Sequence, residues 1–285
     1  MVIPAHNAES TISVQLTALV NQLDAPPFEV IVVANRCADG TAAAAASFSG
    51  QLDLRLVVAN DMAGASYARN AGVAEAAGPL ILHCDADDQV DQRWVRSLVD
   101  ALDVFDIAGG ALRVPAGDEG WFSDAELHDR DDLYTSRGVR YGLTSCLGYR
   151  KDVHDKVGGF DVRFRLGADD VVFCLRASNL GYEIGFAEAA RVEYRPRATA
   201  REAIRQRYRY GQGEALLHVH YMPDQLRSVQ VEVISGARAI LRSGLHGVRR
   251  SRRRAESVRV AYLVGRTLGY VRLAGAGEWP KRRST

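Results

Sequence analysis

The sequence predicts an α/β protein with a mostly parallel, doubly wound sheet and a helical extension at its C-terminal end. Three observations lead to this prediction. Up to about residue 85, apolar strand-like segments alternate with helix-like segments, an order that favours a parallel sheet covered by helices. Between about 107 and 195 the pattern is mixed and loop-rich, which indicates strands of varied direction. After residue 199 the apolar spacing becomes helical.

The elements of the first half each have their own signal. Phe28–Ala34 predicts a buried strand, because strands covered on both faces read as continuous apolar runs. Thr11–Leu23 carries apolar residues at helical spacing and predicts the first helix. The other predicted elements are a helix at Thr41–Ser47, a strand at Leu52–Ala59, a helix at Gly64–Ala76 and a strand at Gly78–Asp85.

The first strand is short. Doubly wound sheets place the first strand near their centre, yet only Met1–Ile3 is left for it here. We therefore expect the natural chain to begin several residues earlier.

The second half predicts fewer strands and more helix. Tyr141–Asp161 predicts a strand followed by a tight turn at Gly158 and Gly159, where glycine permits backbone angles that side chains forbid. Asp169–Asn179 predicts a helix that leads into a further strand. Beyond Pro196, helices are predicted at Thr199–Tyr221, Leu226–Val248 and Val258–Gly275. These patterns divide the chain into residues 1–106, 107–198 and 199–285.

Composition excludes several classes of protein. The formal net charge of the 285 residues is +1, so nothing global points to a nucleic-acid partner. Four scattered cysteines without a C-x-x-C pair argue against a zinc site and favour free thiols in a reducing compartment. No secretory signal pattern opens the chain, and no apolar run approaches the roughly 18 residues of a membrane span. We expect a cytoplasmic protein.

Charge is nevertheless unevenly distributed. Asp124–Asp132 is acidic, whereas Arg249–Arg254 and Lys281–Arg283 are basic. Arginines beside the amphipathic helix predicted at Leu226–Val248 suit an anionic membrane surface, which predicts peripheral contact at the inner face of the plasma membrane. RNA binding is the rival use of such arginines, and no nucleic-acid-binding motif supports it.

A cluster of carboxylates follows the fourth predicted strand. Asp85, Asp87 and Asp88 lie within four residues, at the carboxyl end of a strand, where open α/β sheets bind ligands. Carboxylates at alternate positions can hold Mg²⁺ or Mn²⁺, which prefer oxygen ligands. The other interpretation is a solvated helix N-terminus, where acidic residues are also favourable. The residues alone leave both open.

Four sequence motifs, which follow one another along the chain, favour the metal-binding interpretation of this cluster. They resemble the motifs of family 2 glycosyltransferases, inverting enzymes with the GT-A fold that use nucleotide-sugar donors, over roughly Val2–Arg195. The resemblance implies a GT-A sheet with mixed acceptor-side strands. It also implies transfer of a sugar from a nucleoside-diphosphate sugar to a hydroxyl of a glycan or lipid-linked acceptor, in the synthesis of polysaccharide, glycolipid or glycoconjugate. The motifs are VIPAHNAES, VIVVANRCADGT, GASYARNAGVAEAAGPLILHCDADD and KVGGFDVRFRLGADDVVFCLRA.

The resemblance assigns a donor side. Arg69 matches the arginine beside the nucleoside and diphosphate, and Asp85 and Asp87 match the D-x-D motif. Asp87 would bind Mn²⁺ or Mg²⁺ directly, with Asp85 on the metal or the ribose. The uracil-holding aspartate of the family is replaced by Ala34 or Asn35, which leaves the nucleobase open. The remaining donor-side candidates are Pro4, Ala5, His6, Asn7, Glu9 and Ala86.

The resemblance also assigns a base. Asp170 matches the catalytic carboxylate, which would take the proton of the acceptor hydroxyl, while the metal stabilises the departing diphosphate. Asp169 and the turn of Gly158 and Gly159 would lie on the acceptor side. Helix capping is the local alternative for both aspartates; it is favoured for Asp169, and catalysis for Asp170.

Other readings stay open. A nucleotidyltransferase also uses a carboxylate-held metal, although it would want a glycine-rich phosphate loop in place of PAHNAES. A glycoside hydrolase could use paired carboxylates but would not need a nucleotide-binding half. A catalytically degenerate nucleotide-binding module is the non-enzyme alternative, because Asn35 and Asp169 depart from the family pattern.

Overall fold

The computed structural model describes residues 1–114, 132–136, 138–227, 229–245 and 250–280. These residues form two compact units. The first holds the described residues up to Arg165 together with Asp169–Arg195, and the second holds Leu166–Ala168 and the described residues from Pro196 onward. The acidic segment at 124–131, Trp121 and the last five residues lie outside the described part of the chain.

The secondary structure alternates through the first unit and is helical in the second. The strands are β1 (Val2–Ala5), β2 (Glu29–Ala34), β3 (Asp53–Val58), β4 (Leu80–His83), β5 (Gln89–Val90), β6 (Ile107–Arg113), β7 (Tyr134–Ser136), β8 (Val139–Tyr141), β9 (Leu147–Arg150) and β10 (Ile184–Glu193). The helices are α1 (Ile12–Val20), α2 (Thr41–Ala46), α3 (Ala65–Glu75), α4 (Trp94–Leu102), α5 (Lys151–Val157), α6 (Asp169–Asn179), α7 (Ala200–Tyr221), α8 (Val229–Leu245) and α9 (Arg250–Gly275).

The main sheet confirms the predicted fold class. Within the described residues it has eight strands, in the order β3-β2-β1-β4-β9-β6-β10-β5. β1 pairs in parallel with β2 and β4, so the short first strand is central. β9 runs antiparallel between β4 and β6, and β5 runs antiparallel along β10. The sheet is therefore mostly parallel and becomes mixed in its second half.

The two faces of the central strands bury separate apolar clusters. Ile3, Val30 and Val32 face one cluster, and Val2 and Ile31 face the other. This alternation, with the strands buried on both faces, explains why β2 reads as an unbroken apolar run.

Helix α3 lies unusually close to this sheet. A Cβ added to Gly72 would lie 2.8 Å from Cγ2 of Val33 and would also meet Val2. Glycine at this position therefore lets α3 pack against the sheet. Arg69 lies one turn earlier on the same helix, so this contact also fixes the position of its backbone.

The helix predictions for the first unit need correction at two places. The first helix ends at Val20 and not at Leu23, because the Asn21 side chain donates to the carbonyl of Thr17 and the chain turns away. Helix α5 was not predicted, since only Val153 and Val157 in it are apolar and buried. The turn after it is confirmed, with φ of 78° at Gly158 and 68° at Gly159.

The second unit begins with a well-capped helix. Thr199 and Glu202 form a reciprocal capping box at the start of α7, as the predicted helix at Thr199–Tyr221 requires. α8 begins at Val229, three residues later than predicted, after a 3₁₀ turn at Pro223–Gln225. α9 begins at Arg250 and so includes arginines that the sequence placed before the helix.

Helices α7 and α9 pack through glycine. A Cβ added to Gly211 would lie 2.7 Å from the backbone nitrogen of Arg266, and one added to Gly265 would lie 2.8 Å from the carbonyl carbon of Tyr208. The two backbones are therefore in direct contact. None of the helices in the described residues combines the length and the apolar character that a membrane crossing requires.

Candidate active site

The carboxylate cluster lies just past the end of β4. Asp85, Asp87 and Asp88 each offer an oxygen, and these oxygens lie within 4.8 Å of one another. Asp85 and Asp87 are partly exposed, whereas Asp88 is buried and accepts a hydrogen bond of 3.2 Å from the backbone nitrogen of Arg195. Ala86, between the first two, is buried. Sequence reasoning left Asp88 out of the proposed site, although its place in D-x-D-D was a visible signal.

Arg69 links this cluster to the second acidic pair. Its Nη2 donates to Oδ1 of Asp85 at 2.9 Å, and its Nη1 donates to Oδ2 of Asp169 at 2.6 Å. The side chain is only 4% exposed. One guanidinium thus joins the D-x-D motif to a carboxylate that lies 100 residues beyond the arginine itself.

Opposing effects set the ionisation of these groups. Burial lowers the pKa of Arg69, but the charges of Asp169 and Asp85 outweigh it, so the pKa rises and the guanidinium stays charged. Burial raises the pKa of Asp85, and the charge of Arg69 opposes that rise. The cation at the centre of the site therefore opposes the repulsion between Asp85 and Asp169.

Phe160 packs beside the guanidinium of Arg69, and Asn70 fixes the backbone of Phe160. The guanidinium carbon of Arg69 lies 5.7 Å from the ring centroid of Phe160, a cation–π distance. Asn70 bonds both backbone groups of Phe160 at 2.8 Å, donating from Nδ2 and accepting at Oδ1. Sequence reasoning did not assign this role to Asn70, although it adjoins Arg69 in the same motif.

The glycine turn fits against the same asparagine. A Cβ added to Gly159 would lie 2.8 Å from Oδ1 of Asn70, and one added to Gly158 would lie 2.9 Å from Nη2 of Arg176. Gly159 therefore lies against the asparagine that adjoins Arg69, whereas Gly158 lies against Arg176. Their predicted place on the acceptor side stays a prediction.

Asp170, the predicted base, follows directly after the arginine-bound Asp169. It is partly exposed, and its Oδ1 accepts a hydrogen bond of 2.8 Å from the backbone nitrogen of Val171. Burial, followed by the charge of Asp169, raises the pKa of Asp170 to about 7. The ion pair between Asp169 and Arg69 is an interaction that simple helix capping does not predict.

The predicted donor loop after β1 is bound to the loop after β2. β1 extends through Pro4 and Ala5, a correction to the prediction that left only Met1–Ile3 for the first strand. His6 is exposed, and its Nδ1 lies 2.7 Å from the carbonyl oxygen of Asn35. Asn7 and Glu9 accept hydrogen bonds from the backbone nitrogens of Ala38 at 2.8 Å and Gly40 at 3.0 Å.

Asp39 strengthens this connection. Its carboxylate accepts from the backbone nitrogen of Glu9 at 3.1 Å and from that of Thr41 at 3.1 Å, at the start of α2. The hydrogen bond to Thr41 closes the turn that leads into α2.

Asn35 is buried, and its side chain is occupied. Its Nδ2 donates to the carbonyls of Ala59 and Met62, and its Oδ1 accepts from the backbone nitrogen of Gly64 at 3.0 Å. The amide thus fixes the loop that leads into α3. Its predicted contact with a donor base stays a prediction, and these hydrogen bonds give the residue a structural role of its own.

His83 is also structural. Its Nδ1 faces the carbonyl of Val2 at 3.2 Å and its Nε2 lies 2.6 Å from the hydroxyl of Tyr149, an arrangement that suits a neutral ring donating from Nδ1 and accepting at Nε2. Complete burial lowers the pKa of His83 well below its ordinary value. Neither histidine near the site was given a catalytic role from the sequence.

Comparison with known families decides the classification. Residues 1–158 match the family described as Glycosyl transferase family 2, and residues 80–264 match Glycosyl transferase family group 2. The first match covers more than half of the chain. The chain belongs to glycosyltransferase family 2. The resemblance read from the four motifs is thereby confirmed.

Individual relatives of this glycosyltransferase are distant. Glycosyltransferase AglE of Haloferax volcanii is 27% identical over 225 residues, which cover 75% of this chain and 72% of AglE. The chain spans only 56% and 53% of two further curated relatives that it matches. The sequence relationship therefore supports the family and leaves donor and acceptor to be argued from the site.

Solved structures confirm the GT-A fold. TarS of S. aureus, residues 1–349 in complex with UDP, superposes with a TM-score of 0.55 at 15% identity, covering 98% of this chain and 92% of that one. The mannosyltransferase PcManGT of Pyrobaculum calidifontis, in complex with GDP-Man and Mn²⁺, gives a TM-score of 0.58 at 16% identity, covering 95% and 85%. At these identities the likeness concerns the fold alone.

Proposed function

We propose that this glycosyltransferase moves a sugar from a nucleoside-diphosphate sugar to an acceptor hydroxyl, with inversion at the anomeric carbon and with a divalent metal ion. One observation carries the proposal. Arg69 contacts both Asp85 and Asp169, at 2.9 and 2.6 Å, and so brings the first D-x-D carboxylate and the immediate neighbour of the predicted base, Asp170, to the same buried guanidinium. Donor activation and acceptor deprotonation require groups on both sides of the reacting carbon, and this arrangement supplies both.

The donor set fits Mn²⁺ or Mg²⁺. Three carboxylate oxygens within 4.8 Å of one another are hard ligands of the kind that these ions prefer. Asp87 and Asp85 would hold the ion, and Asp88 braces the turn through the backbone of Arg195. When bound, such an ion neutralises the charge on the departing diphosphate. The complex of PcManGT with GDP-Man and Mn²⁺ is a precedent for this pairing on the same fold.

Asp170 acts as the base in this proposal. Its carboxylate takes the proton of the acceptor hydroxyl while the hydroxyl oxygen bonds to the anomeric carbon and the nucleoside diphosphate leaves from the opposite face. A pKa raised to about 7 suits a base that works near neutral pH. A single displacement by one base inverts the anomeric centre.

The neighbouring residues complete the site. Arg69 stays charged and adds positive potential where the diphosphate would lie. The residues on the donor side would be Pro4, Ala5, His6, Asn7, Glu9, Asn35, Arg69, Asp85, Ala86 and Asp87, and those on the acceptor side Gly158, Gly159 and Asp169.

We also propose that the C-terminal helices contact an anionic membrane, where a lipid-linked acceptor would be presented. Ile234 and Leu241 of α8 are 50% and 65% exposed, and Leu268 and Val271 of α9 are each 48% exposed. Exposed apolar side chains on helices that also carry arginines are typical of interfacial binding. Flotation with phosphatidylglycerol vesicles tests this, with phosphatidylcholine vesicles as the control. Recovery of the protein in the unbound fraction from both would contradict it.

A donor screen tests the main proposal. Thermal unfolding is measured with UDP-, GDP- and dTDP-sugars, each with and without Mn²⁺. We expect one nucleotide class to raise the melting temperature only when metal is present, and Asp170→Asn to keep that shift while losing transfer. A shift with donor and metal but no transfer by the unaltered protein would favour the degenerate binding module. The absence of any shift would contradict donor binding.

A further inference from the structure

The segment Leu166–Ala168 stands directly before the two acidic residues of α6, and its backbone is unusual. Gly167 has a φ of 123° and Ala168 a φ of 65°. Positive φ is unfavourable for alanine because its Cβ approaches the backbone carbonyl. Such a conformation persists only where the surrounding structure holds it. The contacts that hold this segment therefore influence where Asp169 and Asp170 stand.

Helix α7 supplies the closest of these contacts. A Cβ added to Gly213 would lie 2.5 Å from the carbonyl oxygen of Gly167 and 2.9 Å from its carbonyl carbon. A Cβ added to Gly167 would lie 2.8 Å from Cδ1 of Tyr210. Tyr210 and Gly213 are three residues apart and so share one face of the helix. The two glycines let the backbone of the segment rest directly on the backbone of α7.

Helix α7 is itself firmly held. The capping box of Thr199 and Glu202 closes its first turn. Its middle is in backbone contact with α9 at Gly211 and Gly265, where no side chain would fit. Because the helix cannot easily yield, a side chain introduced at Gly213 would push Gly167 and leave α7 in place.

The acidic pair follows the segment without an intervening linker. The chain before it is fixed by the hydroxyl of Ser66, which donates to the carbonyl of Phe164 at 2.8 Å. The chain after it is Asp169, one peptide bond beyond Ala168. A displacement at Gly167 is therefore passed to Asp169 and Asp170 over two residues.

We propose that Gly213 is a positioning residue for the transfer reaction: by admitting the Gly167 carbonyl against α7, it sets where the carboxylates of Asp169 and Asp170 lie. This inference rests on the proposed role of Asp170 as the base. Gly213 touches no reacting atom and acts through Gly167. A misplacement of about 1 Å at a catalytic group can cost roughly 100-fold in rate, so a single methyl group at position 213 is enough to test it.

The test compares Gly213→Ala with Gly275→Ala. Gly275 ends α9, and a Cβ there would meet open space, so G275A controls for adding a methyl group to a helix of the same unit. The rate is nucleoside diphosphate release from the sugar donor that gives the largest Mn²⁺-dependent thermal shift, with water as the acceptor. Affinity is the dissociation constant of that nucleoside diphosphate with Mn²⁺. We expect G213A to lose kcat by about tenfold or more with KM and affinity within about twofold, and G275A to match the unaltered protein.

The possible results separate the two proposals. A loss of rate in Asp170→Asn together with full kcat in G213A overturns the positioning role alone. Full kcat in Asp170→Asn overturns the base assignment, and the inference falls with it. A proportional loss of nucleotide affinity and kcat in G213A would indicate general structural damage and would also overturn the inference.

A second variant covers the case in which G213A does not fold. In Ala168→Gly the backbone keeps its φ without strain, but the link between Gly167 and Asp169 becomes looser. We expect a severalfold lower kcat at unchanged nucleotide affinity, with a melting temperature no lower than that of the unaltered protein. Unchanged kcat in this variant would contradict the inference.

Discussion

Two arginines, one in each unit, have similar surroundings but different partners. Arg69 lies 5.7 Å from the ring of Phe160, and Arg266 lies 6.0 Å from the ring of Tyr262. Arg69 bonds two carboxylates at 2.6 and 2.9 Å and is 4% exposed, whereas Arg266 faces Glu214 at 3.5 Å and is 22% exposed.

The difference shows what each arginine does. A nearly buried guanidinium loses its hydration, and short ionic hydrogen bonds offset that cost, whereas a partly exposed guanidinium keeps some of its water and needs fewer of them. Buried ion pairs add little to stability compared with apolar packing. The arrangement around Arg69 is therefore better explained by the chemistry of the site than by folding, and the predictions below test that distinction in order of expected effect.

Replacement of the two arginines should have very unequal consequences. Arg69→Met leaves Asp85 and Asp169 without their shared partner, so we expect a loss of about 3–5 kcal/mol in the free energy of unfolding. Arg266→Met, the matched control, removes a longer contact to one carboxylate and should lose clearly less. Urea unfolding followed by circular dichroism measures both. Equal midpoints would show that the two sites do not differ as described.

Asp170→Asn should remove transfer and spare binding. Loss of a general base typically lowers the rate by about 10²–10⁴-fold, and the amide keeps the shape of the carboxylate. The exposed Asp152 in the first turn of α5 gives a control variant, Asp152→Asn, of the same chemistry. Transfer rate and metal-dependent nucleotide affinity are measured side by side. A rate in Asp170→Asn equal to that of the control would rule out this base.

The pH dependence follows from the same carboxyl. Because the pKa of Asp170 is raised to about 7 from 3.8, the folded protein holds a proton that the unfolded chain has already lost between these values. Stability should therefore fall as pH rises from about 4 to 7, while kcat rises as the base ionises near 7. In Asp170→Asn this carboxyl is absent, so stability should fall less steeply with pH than in the unaltered protein. The melting temperatures of the unaltered protein and of Asp170→Asn are measured across this pH range. If both fall with the same slope, the raised pKa of Asp170 is contradicted.

Asn35→Asp should weaken the loop before α3 and should not create a uridine site. The amide of Asn35 donates to two carbonyls, and a carboxylate cannot donate to either, so we expect a loss of about 1–3 kcal/mol. Asn60 is a matched control, because it uses only its oxygen, which accepts from the backbone nitrogen of Arg36 at 2.7 Å. Asn60→Asp should be nearly neutral. A gain in UDP affinity in Asn35→Asp, measured by calorimetry, would show that residue 35 reads the base.

The smallest effect is expected at the start of α7. Thr199→Ala removes the side-chain acceptor of the capping box, which should cost about 1 kcal/mol. Nucleotide affinity should not change, because the site residues lie in the first unit. A loss of affinity larger than the loss of stability would indicate that the cap supports the site directly.

Much of the fold could be predicted from the sequence because its signals are local. The unbroken apolar run of β2 and the threonine and glutamate at the start of α7 each act within a few residues. Helix α5 was missed because its two buried valines give too little periodicity. The first helix was overextended because a single asparagine side chain, Asn21, ends it.

The site was predictable only in its parts. The motifs singled out Arg69, Asp85, Asp169 and Asp170 as candidates, but no local signal indicated that one guanidinium would contact both Asp85 and Asp169. Asp88 and Asn70 were passed over because their partners, Arg195 and Phe160, are distant in sequence. Such pairings depend on the tertiary fold, and spacing along the chain does not encode them.

The antiparallel strand β9 has a consequence for synthesis of the chain. β4 and β6 both complete their hydrogen bonding on β9, whose residues Leu147–Arg150 are made much later than β4. A nascent chain that has emerged only to residue 106 therefore carries β4 as an open edge, and open edges recruit other strands. Translation that stalls in this interval should yield aggregates, whereas release of the same chain after β9 has emerged should not.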